Sequence, residues 1–208
     1  MVDLRFDAGL RAMLVAHLGG FERRSAAPEG HRLAAVAVVV LPDAESRASL
    51  ILTVRASGLR RHGGQWACPG GLREPGEPAE AAALRELEEE VGLALPPDHV
   101  LGCLDDYSTR SGFVMTPVVV WGIPGAVLRP DPREVATVVL LPIEELTPDR
   151  VVLQPGPPGG QPVLALELPQ RGLLYAPTAA VLHQFSEVAV HGRDTRVAHF
   201  EQPRFAWK

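Results

Sequence analysis

The apolar residues of this chain change period along its length. LAAVAVVVLP (33–42) is an unbroken apolar run, and SLILTVR (49–55) is a second. Runs this short, bounded by turn residues, predict buried strands. The turn-like PDAESR between them predicts an antiparallel hairpin. Over 78–91 the period lengthens, with Ala83, Leu87 and Val91 four residues apart. Pro78 suits a first helical turn and Gly92 a helix stop, so a helix is predicted over 78–91. Leu10, Met13, Leu14 and Leu18 follow the same spacing and predict an amphipathic helix over about 4–19. Strands are predicted at 99–107, 114–123, 134–141 and 162–168, and one helical turn at 143–146. TAAVLHQFSEVAV predicts a closing helix over about 177–190. Gly- and Pro-containing stretches at 20–31, 56–76 and 154–162 are predicted loops. The last residues read as a tail.

Strands, one helix, more strands and a closing helix predict an α/β domain with a mixed sheet and helices on its faces. No repeat or long linker divides the chain, so its 208 residues are expected to form a single domain. Composition supports this, with 46% hydrophobic residues. The N-terminal apolar positions are interrupted by Asp3, Arg5, Asp7 and Arg11, unlike a secretory signal. No run reaches the length of a membrane span. A net charge of −5 offers no general attraction for nucleic acid or an anionic membrane. Neither is expected as a partner. Cys68 and Cys103 form no framework or ligand pattern and fit reduced thiols in a cytoplasm. The N-terminal helix and the apolar VVVW strand can pack within the chain or against a second copy, which leaves a homodimer open.

The predicted helix over 78–91 poses an electrostatic problem. GLREPGEPAEAAALRELEEEVGL (71–93) holds seven glutamates. At roughly 100° per residue, Glu86, Glu89 and Glu90 share an arc of roughly 100° beside the apolar stripe. Arg85, four residues before Glu89, is placed to pair with it. Glu88 points elsewhere, toward solvent. Carboxylates crowded this way are costly without a cation. Hard divalent ions take such oxygen ligands and bridge them to phosphate oxygens. A solvated acidic helix face is the alternative reading of the same residues.

The frame around these glutamates resembles the Nudix hydrolase signature G-x5-E-x7-R-E-U-x-E-E-x-G-U, where U is bulky and aliphatic. Gly71, Glu77, Arg85, Glu86, Leu87, Glu89, Glu90, Gly92 and Leu93 fill every defined position. The resemblance implies an α/β/α sandwich and hydrolysis of a nucleoside diphosphate linked to another group. It also implies Glu86, Glu89 and Glu90 as ligands of Mg²⁺ or Mn²⁺, with Arg85 in the catalytic set. A bound cation would neutralise the negative oxygens and make water more acidic. Glu89, Glu86 or an acid from a later loop such as Glu134 could take the water proton. Glu77 could stabilise the loop–helix junction or reach a metal through water. Backbone at Gly70 and Gly71 could approach a phosphate closely, although an ordinary tight turn explains the same glycines.

Upstream, ILTVRASGLRRHGGQWACPGG (51–71) resembles the additional signature of coenzyme A diphosphatases, L-L-T-x-R-[SA]-x3-R-x3-G-x3-F-P-G-G. Ile51 and Cys68 depart from it, and Cys68 removes an aromatic ring. SGFVMTP (111–117) resembles a further segment of that subfamily. YAPTAAVL (175–182) resembles another, with Ala176 and Pro177 as departures. The resemblance implies coenzyme A, or an acyl derivative, as the small-molecule substrate. Arg55, Arg60 and Arg61 are forked donors suited to its phosphates, and His62 could add a pH-dependent contact. A strand-end charge and a solvated loop are the plain alternatives for these four. Another nucleoside diphosphate derivative, such as ADP-ribose or NADH, is the rival substrate class. A non-catalytic ligand-binding module is a weaker rival, because every signature glutamate is present.

Overall fold

The computed structural model describes residues 2–26, 28–58 and 63–207. Its elements in chain order are α1 (Ala8–Gly20), β1 (Arg32–Pro42), β2 (Ala48–Arg55), β3 (Trp66–Ala67), β4 (Gly70–Leu72) and α2 (Ala79–Val91). There follow β5 (Val100–Cys103), β6 (Tyr107–Ser108), β7 (Phe113–Trp121), β8 (Val135–Pro142), β9 (Val151–Gln154), β10 (Val163–Leu168), β11 (Gly172–Tyr175) and α3 (Thr178–Gln184). The fold is an α/β sandwich around a mixed sheet of eight strands, β1–β8.

The predicted hairpin is present: Val40–Pro42 pairs antiparallel with Ala48–Leu50. Beyond that short ladder β1 and β2 part. β1 pairs with β4 over Ala34–Val36, and β2 pairs with β3 at Thr53 and Val54. The 66–72 segment therefore fills the gap between the splayed strands. β1 also runs parallel to β7 over nine paired positions, from Arg32↔Phe113 to Val40↔Trp121. With neighbours on both sides, β1 is buried on both faces, which explains its unbroken apolar run. Ala35, Ala37 and Val39 face α2, whose Ala83, Leu87 and Val91 are fully buried against them. Val36, Val38 and Val40 face a second layer containing α1, α3 and β10.

That second layer holds a difference from expectation. β9, β10 and β11 form a separate three-stranded antiparallel sheet, whereas the sequence pattern predicts only β10. β9 and β11 are four residues each and follow or precede Pro- and Gly-rich segments, so they carry no usable period. The predicted strand at 99–107 divides into β5 and β6. The predicted turn over 143–146 is a 3₁₀ turn, Ile143–Glu145. The closing helix has two parts, with α3 passing into π-helical turns over Phe185–Val190.

α1 begins later than the predicted 4–19. Asp7 caps it by accepting the Leu10 N–H at 2.9 Å, and Phe6 stacks on Trp121 with ring centroids 4.0 Å apart. Its Leu10, Leu14 and Leu18 are buried within the chain, as is the Val118–Trp121 strand segment. The tail reading fails. Val197, Gln202 and Ala206 are buried, and residues 204–207 form a 3₁₀ turn. Tyr107 Oη donates to Phe200 O at 2.8 Å, which draws this segment onto the domain.

Candidate active site

α2 carries the acidic residues on its last two turns, with no basic residue in the last turn. Carboxylates there oppose the negative end of the helix dipole, so helix stability does not explain them. Gly92 ends the helix in the left-handed region, at φ 70°, and its N–H donates to Glu88 O at 2.9 Å. Glu88 and Glu89 point outward, whereas Glu90 is turned under β4 and is 2% exposed.

Arg85 ties the acids together. Its Nε and Nη2 donate to the two oxygens of Glu77 at 3.0 and 3.1 Å. Its Nη1 donates to Glu86 Oε1 at 2.8 Å and to Glu89 Oε2 at 3.1 Å. Nη2 also reaches Leu72 O at 2.9 Å. The expected Arg85–Glu89 pair is therefore one spoke of a larger hub. Glu77 also accepts the Glu74 N–H at 2.8 Å, so it does secure the loop–helix junction. The Arg85 bond is the main reason the Glu77 carboxyl lies below the usual range.

Glu90 has much poorer company. Gly70 N–H approaches its Oε2 at 3.3 Å and Arg55 Nη1 its Oε1 at 3.4 Å. Burial pushes its carboxyl up to about 7, with Glu86 and Glu134 adding repulsion and Arg55 relieving part of the cost. Burial also raises Glu86. Gly71 lies directly over Glu86: a Cβ there would stand 2.4 Å from Glu86 Oε1. Gly70 packs as closely on β1, where a Cβ would meet Ala35 O at 2.4 Å. These glycines are needed for close approach. They form a short strand and not an isolated turn, and the Gly70 N–H is turned toward Glu90.

Thus Arg55, Gly70, Gly71, Arg85, Glu86, Glu89 and Glu90 come together. Glu134 joins them from the loop before β8, its charge felt at both Glu86 and Glu90. Arg60, Arg61 and His62 lie outside the described residues. Among the described residues, no three acidic, histidine or cysteine side chains are gathered closely enough to enclose an ion. The donor chemistry still fits a hard divalent cation. The acids offer only oxygen, and Glu90 is a buried carboxylate with two long contacts among the described residues, short of the bonding a buried charge requires.

A cavity of about 500 Å³ opens beside Gly70, Gly71 and Arg55, on the sheet face away from α2. Trp66, Phe113, Leu174, Val181 and Phe205 are among its walls. The SGFVMTP and YAPTAAVL segments both contribute, through Ser111, Phe113, Met115 and Tyr175–Thr178. The contribution of Phe205 and Ala206 is missed by sequence reading. Its only trace is an aromatic cluster in a polar terminus.

The NUDIX domain family model matches residues 31–165, a span that contains α2 and the strands packed on it. This chain belongs to the Nudix hydrolase family. A Nudix hydrolase named NudL and described as uncharacterized, from Photorhabdus laumondii, is 34% identical over 155 residues, which cover 73% of this chain and 83% of that protein. Another described the same way, from Yersinia pestis, is 42% identical over 90 residues, 43% of this chain and 44% of its own. Among solved structures, a MutT/nudix family protein from Enterococcus faecalis superposes with a TM-score of 0.57 at 16% identity, covering 79% of this chain and 64% of that one. A Nudix hydrolase from Alicyclobacillus acidocaldarius gives 0.51 at 18% identity, covering 80% and 95%. These establish the fold. For a Nudix hydrolase the general cofactor class is a divalent cation such as Mg²⁺ or Mn²⁺. Among the described residues no helix of this one is long and apolar enough to cross a membrane.

Proposed function

We propose that this Nudix hydrolase cleaves the diphosphate linkage of coenzyme A or its acyl derivatives, giving 3′,5′-ADP and 4′-phosphopantetheine or its acyl form. The observation that carries this reading is the junction of two sequence patterns in space. Arg55, from the coenzyme A-type segment, reaches Glu90 of the Nudix helix at 3.4 Å. Gly70 and Gly71, where the two patterns meet, pack on Glu90 and Glu86. Both patterns thus describe one site.

In this site Glu86, Glu89 and Glu90 hold the divalent cation, with Arg85 fixing the rotamers of Glu86 and Glu89. When bound, the ion neutralises diphosphate oxygens and acidifies water. Arg55 adds a second positive charge at the phosphates. Hydrolysis forms a bond from the water oxygen to one phosphorus and breaks the bridging P–O bond, whose electron pair leaves with the other phosphate. Glu89, with its side chain 56% exposed, is the acid of the α2 set open to water and accepts the proton. The site acts on a soluble small molecule at Mg²⁺ or Mn²⁺, in a cytoplasmic setting consistent with the free thiols of Cys68 and Cys103.

The direct test is chromatography of products after incubation of coenzyme A with the protein and Mg²⁺ or Mn²⁺. Release of 3′,5′-ADP, abolished in Glu89→Gln, supports the reading. An intact substrate, or activity that survives Glu89→Gln, overturns it.

A further inference from the structure

The cavity beside the acids poses a question of polarity. It begins at the charged end, where Arg55 and the two glycines meet Glu90 and Glu86, and runs over the sheet face opposite α2. Much of its polar lining already bonds within the protein. Thr178 Oγ1 donates to Trp66 O at 3.2 Å, and Thr109 Oγ1 donates to Phe113 O at 3.2 Å. Gln202 Nε2 donates to Ser108 O at 3.4 Å, while its Oε1 accepts the Arg110 N–H at 3.4 Å. Tyr175 Oη accepts from Gln154 Nε2 at 3.5 Å. A nucleobase read by hydrogen bonds needs edge partners, and an unmet polar edge is costly to bury. Some of the aromatic rings already pack on neighbours: Tyr175 and Phe205 meet edge to face at 5.3 Å, and Arg32 lies over Phe113 at 4.3 Å. The wall left to a ligand is mostly apolar, with Arg55 at its charged end.

Part of that wall is the C-terminal turn. Phe205 and Ala206 face the cavity from a segment fastened at several points. Tyr107 holds Phe200 O, the Arg110 side chain pairs with Glu201, and Trp207 Nε1 donates to Gln202 O at 2.9 Å. The fastening keeps Phe205 over the cavity although its own side chain is half open to solvent.

We infer that this cavity is the subsite for the pantetheine arm and its acyl group, not for the adenine, and that Phe205 and Leu173, both on its wall, set the acyl-chain preference. The inference rests on the coenzyme A reading above. It gives a gradient in which substrates gain affinity as their thioester chain lengthens into the cavity. Full burial of each methylene strengthens binding roughly fourfold.

Two measurements on the full-length protein separate this inference from that reading. Steady-state kinetics with coenzyme A and its butyryl and octanoyl thioesters should show KM falling with chain length. Phe205→Ala and Leu173→Ala should raise KM for the octanoyl thioester more than for coenzyme A. Both residues are partly exposed, so these variants are expected to fold. Equilibrium binding of S-octanoyl-4′-phosphopantetheine and of 3′,5′-ADP is measured in parallel. The variants should weaken the first and leave the second unchanged. Turnover with a flat KM series, or loss of 3′,5′-ADP binding in the variants, overturns the subsite and leaves the coenzyme A reading standing. Variant-sensitive acyl-phosphopantetheine binding without any turnover overturns that reading and keeps the subsite. Binding of neither probe overturns the subsite.

Discussion

Glu90 is the residue on which the electrostatics of the site turn. Its carboxyl is buried, poorly bonded and raised to about 7 from 4.5. The sign of the pH effect follows from linkage. A raised folded-state value means that the neutral form is favoured by folding, so the metal-free protein is most stable below the unfolded-state value and loses stability as pH rises through about 7. The loss is on the order of 3 kcal/mol. Glu90→Gln should therefore raise the Tm of metal-free protein at pH 8 and leave it nearly unchanged at pH 4, as scanning calorimetry in a chelator would show. Gly71→Ala probes the neighbouring acid. A Cβ 2.4 Å from Glu86 Oε1 must push that side chain aside, and a flexible side chain can move without unfolding the domain. Activity should fall at least about tenfold while Tm drops by only a few degrees. Cys68 gives a chemical check. Burial, with the Glu90 charge, pushes its thiol up to about 12. It should resist alkylation at pH 8 in native protein and react on unfolding, as mass spectrometry would record.

At the scale of elements, α2 is legible because its sequence signals agree with each other. Apolar spacing, a proline before it and a glycine after it specify Ala79–Val91. That agreement makes Gly92 a point of weakness. At φ 70°, with an added Cβ 2.9 Å from Arg129 O, Gly92→Ala should cost about 1–2 kcal/mol in urea unfolding. The same change tilts the last turn, which bears Glu89 and Glu90. β9 and β11 are illegible for the opposite reason. Each is four residues, and each gains its structure from pairing with β10 rather than from a period of its own. The acids of the site could be read in advance because they share one helix. The cavity walls could not, because Trp66, Phe113, Tyr175 and Phe205 meet only through tertiary packing.

The whole molecule is closed by two buried aspartates that sequence reading leaves without a role. Asp105, 3% exposed, accepts Arg196 Nη1 at 2.9 and 3.1 Å, the Arg24 N–H at 2.7 Å and Gln184 Nε2 at 2.9 Å. Asp106 accepts from Arg23 at 2.6 Å and from Thr116 at 2.7 Å. They join the connector after α1 and the segment after α3 to the strand layer. Arg196→Ala leaves a buried carboxylate short of its partner and should destabilise the protein by about 3 kcal/mol or more in chemical denaturation. The central claim concerns what this closed cavity and its acids select together. The most direct measurement is kcat/KM for coenzyme A, ADP-ribose and NADH under identical Mg²⁺ or Mn²⁺ conditions. The account predicts that coenzyme A exceeds the other two by about tenfold or more, since every 1.4 kcal/mol of added recognition is a factor of ten. A higher value for ADP-ribose or NADH would contradict it.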